Sequence, residues 1–190
     1  MHATQDIAHL ARRWSLGIAL FGLFAIGCGG PEGPLPDPLP GALEIGTVTG
    51  VDGSGFAAVA DGTELTLTPG AQGGFHIWVN VRVSGLVGEH YLEWDARRVA
   101  DDVLVSRAIP QYLDVSETAM EDWWENPIGM PSFMCPTPLG VKVFDEELYF
   151  DVRVVDEDEQ TVAEDTLLVV ARCPDGMQAD FCREICSDGF

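Results

Sequence analysis

Between residues 43 and 171, hydrophobic and polar positions alternate in short runs separated by glycine or acidic turns, the pattern of strands buried on one side. The clearest run is Phe75-His76-Ile77-Trp78-Val79-Asn80-Val81-Arg82-Val83. Successive strand side chains point to opposite faces, so Phe75, Ile77, Val79, Val81 and Val83 line one side and His76, Trp78, Asn80 and Arg82 the other. The same period turns Leu148, Phe150, Val152 and Val154 inward on a later strand, with Tyr149, Asp151 and Arg153 outward. Weaker runs over residues 43–49, 56–60, 64–68, 91–99, 103–109 and 166–171 complete the set, and Asp101-Asp102 and residues 156–160 read as hairpin tips. No long helical period is present. Seven or eight strands in about 130 residues predict an all-β fold, an immunoglobulin-like antiparallel β-sandwich over residues 42–172.

Two segments interrupt the strand pattern. Residues 116–138 form a connection longer than most in compact domains, in which Thr118 and Glu121 match a capping box and predict a short helix ending at Asn126, before Pro127. The tail, residues 173–190, predicts a second short helix from Gln178 to Cys186. The closing hairpin, "YFDVRVVDEDEQTVAEDTLLVVARC", resembles the last two strands of bacterial Ig-like domains, a likeness that implies fold and no function.

The N-terminus differs in kind. A polar start containing Arg12 and Arg13 leads into an apolar run from Trp14 to Ile26, too short to span a bilayer and of the length of an export signal. Ala25-Ile26-Gly27-Cys28 resembles the lipobox of bacterial lipoproteins, although Ala25 stands where leucine is commoner. The resemblance implies that residues 1–27 are a signal peptide, that Cys28 is lipidated, and that the mature chain is held on the cell envelope, with the outer membrane preferred. Arg12-Arg13-Trp14-Ser15-Leu16 faintly resembles a twin-arginine signal, with Ser15 in place of an apolar residue. After Cys28, "GGPEGPLPDPLPG" reads as an extended tether, so that residues 28–41 space the folded domain from the membrane.

Charge narrows the partners. The full chain carries a formal net charge of −21, and removal of Asp6, Arg12 and Arg13 with the leader leaves 30 acidic and 8 basic side chains. Such a surface repels phosphate backbones, so no nucleic-acid partner is expected. Five cysteines are an odd number for an exported protein until Cys28 is assigned to lipid, leaving Cys135, Cys173, Cys182 and Cys186 for two disulfides. Four residues apart on one helix face, Cys182 and Cys186 are poorly placed to bridge each other. Bonds from them to Cys173 and Cys135 are therefore expected. Zinc is the competing use of these thiols, but the spacing lacks paired Cys-x-x-Cys knuckles.

Few residues suggest catalysis, and the chain is expected not to be an enzyme. His76 and His90, on strands expected to be neighbours, are candidate metal ligands with Glu89, or surface residues of a sheet. Ser54 in "VDGSGF" does not match a Gly-x-Ser-x-Gly nucleophile elbow and reads as a turn. Asp156 and Asp158 are the candidate calcium ligands in an acidic tip that departs from the EF-hand pattern; no other cofactor is expected. Trp123, Trp124, Met130 and Phe133 belong to the densest aromatic and apolar group outside the expected strands, and are the candidate binding surface. The expected role is a binding or accessory module for another envelope component, protein or glycan. A calcium-dependent structural or adhesive module and a polysaccharide or peptidoglycan hydrolase using paired carboxylates are the alternatives.

Overall fold

The computed structural model describes residues 40–120, 122–137 and 140–187. Cys28, the leader and nearly all of the tether lie outside the described residues. The chain enters the fold with the Gly41 N–H donating to the Val162 carbonyl at 3.0 Å.

Two sheets face each other. The first holds β1 (Ala42–Thr47), β2 (Ala57–Ala58), β4 (Thr68–Pro69), β5 (Phe75–Ser84), β9 (Trp124–Glu125) and β10 (Met130–Cys135), in the order β10-β5-β1-β2 with β4 and β9 also paired to β5. The second holds β3 (Thr63–Thr66), β6 (Gly88–Arg98), β7 (Leu104–Arg107), β8 (Gln111–Val115), β11 (Glu147–Val155) and β12 (Thr161–Arg172), in the order β3-β12-β11-β6-β7 with β8 also on β6. Most pairings are antiparallel, but β3 runs parallel to β12. The result is an all-β sandwich.

The alternation read from the sequence builds its core. Phe75, Ile77, Val79, Val81 and Val83 of β5 face Leu148, Phe150, Val152 and Val154 of β11 across the interior, joined by Leu92, Trp94 and Ala96 of β6 and Ala163, Leu167, Val169 and Ala171 of β12. All are buried, and burying a side chain of this size stabilises the fold by roughly 1.5–3 kcal/mol before chain entropy is subtracted.

Three expectations are corrected. The first concerns β5, whose second face is also covered: His76 and Asn80 are buried and Trp78 and Arg82 half-buried. The covering chain is the turn over residues 48–56 and the stretch around residues 126–129, bridged to each other at Ser54 and Ile128. A polar Asn80 occurs on this face because backbone carbonyls lie over it. The Asn80 amide donates to the carbonyls of Gly55 and Asn126, at 2.8 and 3.0 Å. Gly53 lets that backbone come close, since its φ is +87° and an added Cβ would lie 2.8 Å from the Trp78 ring.

The second correction concerns residues 116–138, which are more extended than expected. Among the described residues of this stretch Glu117–Met120 coils, as one 3-10 turn, with the Ser116 hydroxyl accepting the Thr118 backbone N–H at 3.3 Å; Glu121, the other half of the expected capping box, lies outside the described residues. Beyond it β9 pairs Trp124 and Glu125 with Val83 and Arg82, and β10 pairs with the first half of β5. Sheet pairing and burial of the Trp124 ring override the local helix signal. Pro131 is tolerated in β10 because that strand lies at the sheet edge.

Third, the two histidines do not meet. The chain crosses from one sheet to the other between β5 and β6, leaving His76 on the outer side of the first sheet and His90 among the inward residues of β6. Both are buried, contrary to a surface reading.

At the far end, a 3-10 turn (Gly176–Gln178) leads into α1 (Ala179–Ile185). Cys135 is bonded to Cys186 and Cys173 to Cys182, with Cα separations of 5.1 and 5.7 Å. As the spacing implied, Cys182 and Cys186 do not bridge each other. The two bonds tie α1 to the end of β10 and to the chain just beyond β12.

Candidate functional site

The four candidate surface residues separate by strand register. Met130 of β10 pairs with Val79 and points into the core, while Phe133 pairs with His76 and points outward. Trp124 pairs with Val83 and packs against the core. Trp123, its neighbour, lies over the Arg82 guanidinium at 4.8 Å, with Phe56 also against that guanidinium at 5.1 Å. Arg82 also donates to the Glu44 carboxylate at 3.0 and 2.6 Å, so the Trp123 ring belongs to an internally satisfied cluster. Phe133 alone of the four is an exposed side chain, at 64% of its full exposure.

Phe133 borders an apolar groove at the open side of the sandwich. There β10, the edge of the first sheet, approaches β7 and the chain that follows it in the second sheet. The groove has a volume of about 310 Å³, and its walls include Ala108, Ile109, Met130, Pro131 and Phe133. Its floor is polar but paired, since the Trp94 indole N–H donates to Ser132 Oγ at 3.3 Å and Ser132 Oγ to Ser106 Oγ at 3.4 Å. Ile109 stands on the opposite lip, 80% exposed. Among the described residues Arg107 is the one charged residue of the lining and no carboxylate lies there, on a chain with 31 acidic residues. Sequence reading missed Ile109 and Pro131; the signal available was an apolar residue placed directly before Pro110, where the strand pattern ends.

Beneath Phe133 lies His76, 6% exposed, with both ring nitrogens lacking a hydrogen-bond partner. Its ring packs edge-on against Trp78 at 5.0 Å and against Phe133 at 6.2 Å. Burial holds its pKa below the usual 6.5. The unfolded chain therefore takes up the proton first as pH falls below 6.5, and stability declines through the window down to the folded value. Urea midpoints measured at about pH 7.5 and about pH 5 should show this decline, and His76→Phe should reduce it. Asp95 and Asp101, held below 3.8, act only in more acidic solution.

A larger hollow of about 590 Å³ lies on the outer face of the second sheet, lined by Glu93, Asp95, Asp151 and Glu164 together with Arg107 and Arg153. Both of its arginines are ion-paired. Arg107 donates to both Asp95 oxygens at 2.7 and 2.9 Å, and Arg153 to Glu93 at 2.8 Å. The Arg107 hydrogen bond holds Asp95 below the usual carboxyl range, the direction opposite to the one a general acid requires. Nearby, the hydrogen bond to Glu89 pushes the Tyr112 hydroxyl up to about 12.

The remaining candidates are local turns. Asp156 accepts the backbone N–H groups of Asp158 and Gln160, at 3.0 and 2.8 Å, so its carboxylate closes the hairpin tip. Ser54 donates its hydroxyl to Asp52 at 2.6 Å inside the turn over β5. Among the described residues, the convergent group of three or more cysteine, histidine or acidic ligands is Cys173, Cys182 and Cys186. Neither a protein-family model nor a curated protein matches this chain.

Proposed function

We propose that this chain is a non-enzymatic binding or accessory module of the cell envelope, held to the membrane by lipid on Cys28. In this reading the groove between β10 and the segment after β7 takes an extended segment of an envelope protein. The observation that carries the reading is the exposure of Ile109 and Phe133 on facing lips of an apolar groove whose described lining residues include no carboxylate. Exposed apolar groups on an otherwise strongly acidic surface lose water contact when a partner covers them. Edge strand β10 adds main-chain donors and acceptors to which an extended peptide can pair. Pro131 and the register shift between Phe133 and Cys135 limit such pairing and guard against indiscriminate edge-to-edge association.

The test is capture of a partner by the tagged, full-length chain in its own cells, with mild crosslinking and mass spectrometry. The wild-type chain should retain one envelope protein in stoichiometric amount. Ile109→Glu with Phe133→Glu should reduce that capture by roughly tenfold or more, as expected for loss of two apolar anchors. Both side chains are exposed, so the double variant should fold with a nearly unchanged urea midpoint. Undiminished capture by a folded double variant would remove the groove from the proposal.

A further inference from the structure

The four cysteines of the folded domain end within one small volume, although their sequence positions span half a sandwich. The sulfurs of Cys173, Cys182 and Cys186 lie within 4.8 Å of one another, and Cys135 joins them through its bond to Cys186. Cys182 and Cys186 are not bonded to each other, yet their sulfurs are 3.9 Å apart. In a tetrahedral zinc–thiolate site with Zn–S of about 2.3 Å, neighbouring sulfurs are about 3.8 Å apart. Spacing four residues along a helix, poor for a disulfide, directs two side chains at one ion, as in metal sites that place two ligands at i and i+4.

There is also a way in. Cys182 and Cys186 are buried, but Cys173 is partly exposed and borders a hollow of about 470 Å³ lined also by Glu64, Asp145 and Asp175. Arg172, which also lines the hollow, is paired with Glu64 and Asp145, and the partly exposed Cys173 is the point at which a reductant reaches the Cys173–Cys182 bond. We propose that, once both bonds are reduced, Cys135, Cys173, Cys182 and Cys186 form a site for one zinc ion. Each disulfide takes two electrons and two protons from a dithiol, which is oxidised to its own disulfide. Binding zinc then releases the four thiol protons and leaves four thiolates on one dication. The metal takes over the disulfides' task of tying α1 to the ends of β10 and β12, so the cluster has two interchangeable locked forms. This inference is independent of the groove and of the chain's location.

The test uses the purified chain, reduced with excess dithiol, freed of reductant and kept without oxygen. Zinc titrated against a chromophoric chelator should load to one equivalent per chain, and the melting temperature of the reduced chain should rise on loading. Cobalt in place of zinc should give a thiolate-to-metal charge-transfer band and the strong visible bands of tetrahedral coordination. Cys173→Ser, which alters the least buried ligand, should weaken zinc binding by roughly 100-fold. Substoichiometric loading, a cobalt spectrum without the thiolate band, or loading with no rise in melting temperature would overturn the proposal, the last because the ion would then be held by unfolded chain.

Discussion

Replacing Cys135 and Cys186 together by alanine is expected to lower the unfolding free energy by roughly 4 kcal/mol, the larger of the two disulfide effects. The estimate follows from closure of a loop with a sequence separation of 51, which restricts the unfolded chain far more than the separation of 9 closed by Cys173 and Cys182. Removing the shorter bond the same way should cost roughly 2.5 kcal/mol. The long bond also acts where the sandwich has least support: β10 is an edge strand paired only with β5, and the disulfide fixes its end to α1. Denaturant midpoints of the two double-alanine variants should rank accordingly. Equal losses would mean that native packing around the sulfurs, rather than restriction of the unfolded chain, sets the effect.

Asn80→Ala is expected to cost roughly 2–3 kcal/mol, because it deletes a buried amide that satisfies two backbone carbonyls from separate segments. Asn80 is fully buried, and among the described residues no other side chain is hydrogen-bonded to the Gly55 and Asn126 carbonyls. The effect is local as well as global. With the amide gone, the turn over Trp78 loses its link to β5, so the amide of Gly129, which donates to the Gly53 carbonyl at 2.8 Å, should exchange faster with solvent. Asn80→Asp, which keeps the shape but sets a buried carboxylate against two carbonyl oxygens, should cost at least as much as the alanine variant. An unfolding free energy within about 0.5 kcal/mol of wild type would show that water replaces the amide without penalty.

The strands that carry the core were legible because their apolar positions repeat every second residue and face one continuous interior. That logic gave the inward faces of β5 and β11 residue by residue. It failed on the outer face of β5, where His76, Trp78, Asn80 and Arg82 look like solvent-facing residues. Backbone from residues 48–56 and 126–129 covers Trp78 and Asn80 and leaves no apolar signature in the covering segment, while Phe133 covers His76 and the Phe56 and Trp123 rings pack on Arg82 from positions distant in sequence. β10 was hidden for a different reason: Pro131 breaks the propensity pattern, and only its place at an edge makes it compatible with a strand.

The candidate surface was legible only in part. Trp123, Trp124, Met130 and Phe133 cluster in sequence, but strand register sends Met130 and Trp124 inward, engages Trp123 with Arg82 and leaves Phe133 outside. The groove depends on tertiary proximity of β10 to the chain after β7, which no local pattern contains. The cysteine pairing was closer to the surface of the sequence, because helical geometry alone disfavours a bond between Cys182 and Cys186.

The most direct measurement places a photo-reactive amino acid at position 133 of the full-length chain in its own cells, and at position 149 for comparison. Position 149 is the exposed Tyr149 on β11, on the outer face of the second sheet, away from the groove. The groove account predicts one dominant adduct, to the same envelope protein each time, from position 133 and none above background from position 149. Matching adducts from both positions, or none from position 133, would contradict it.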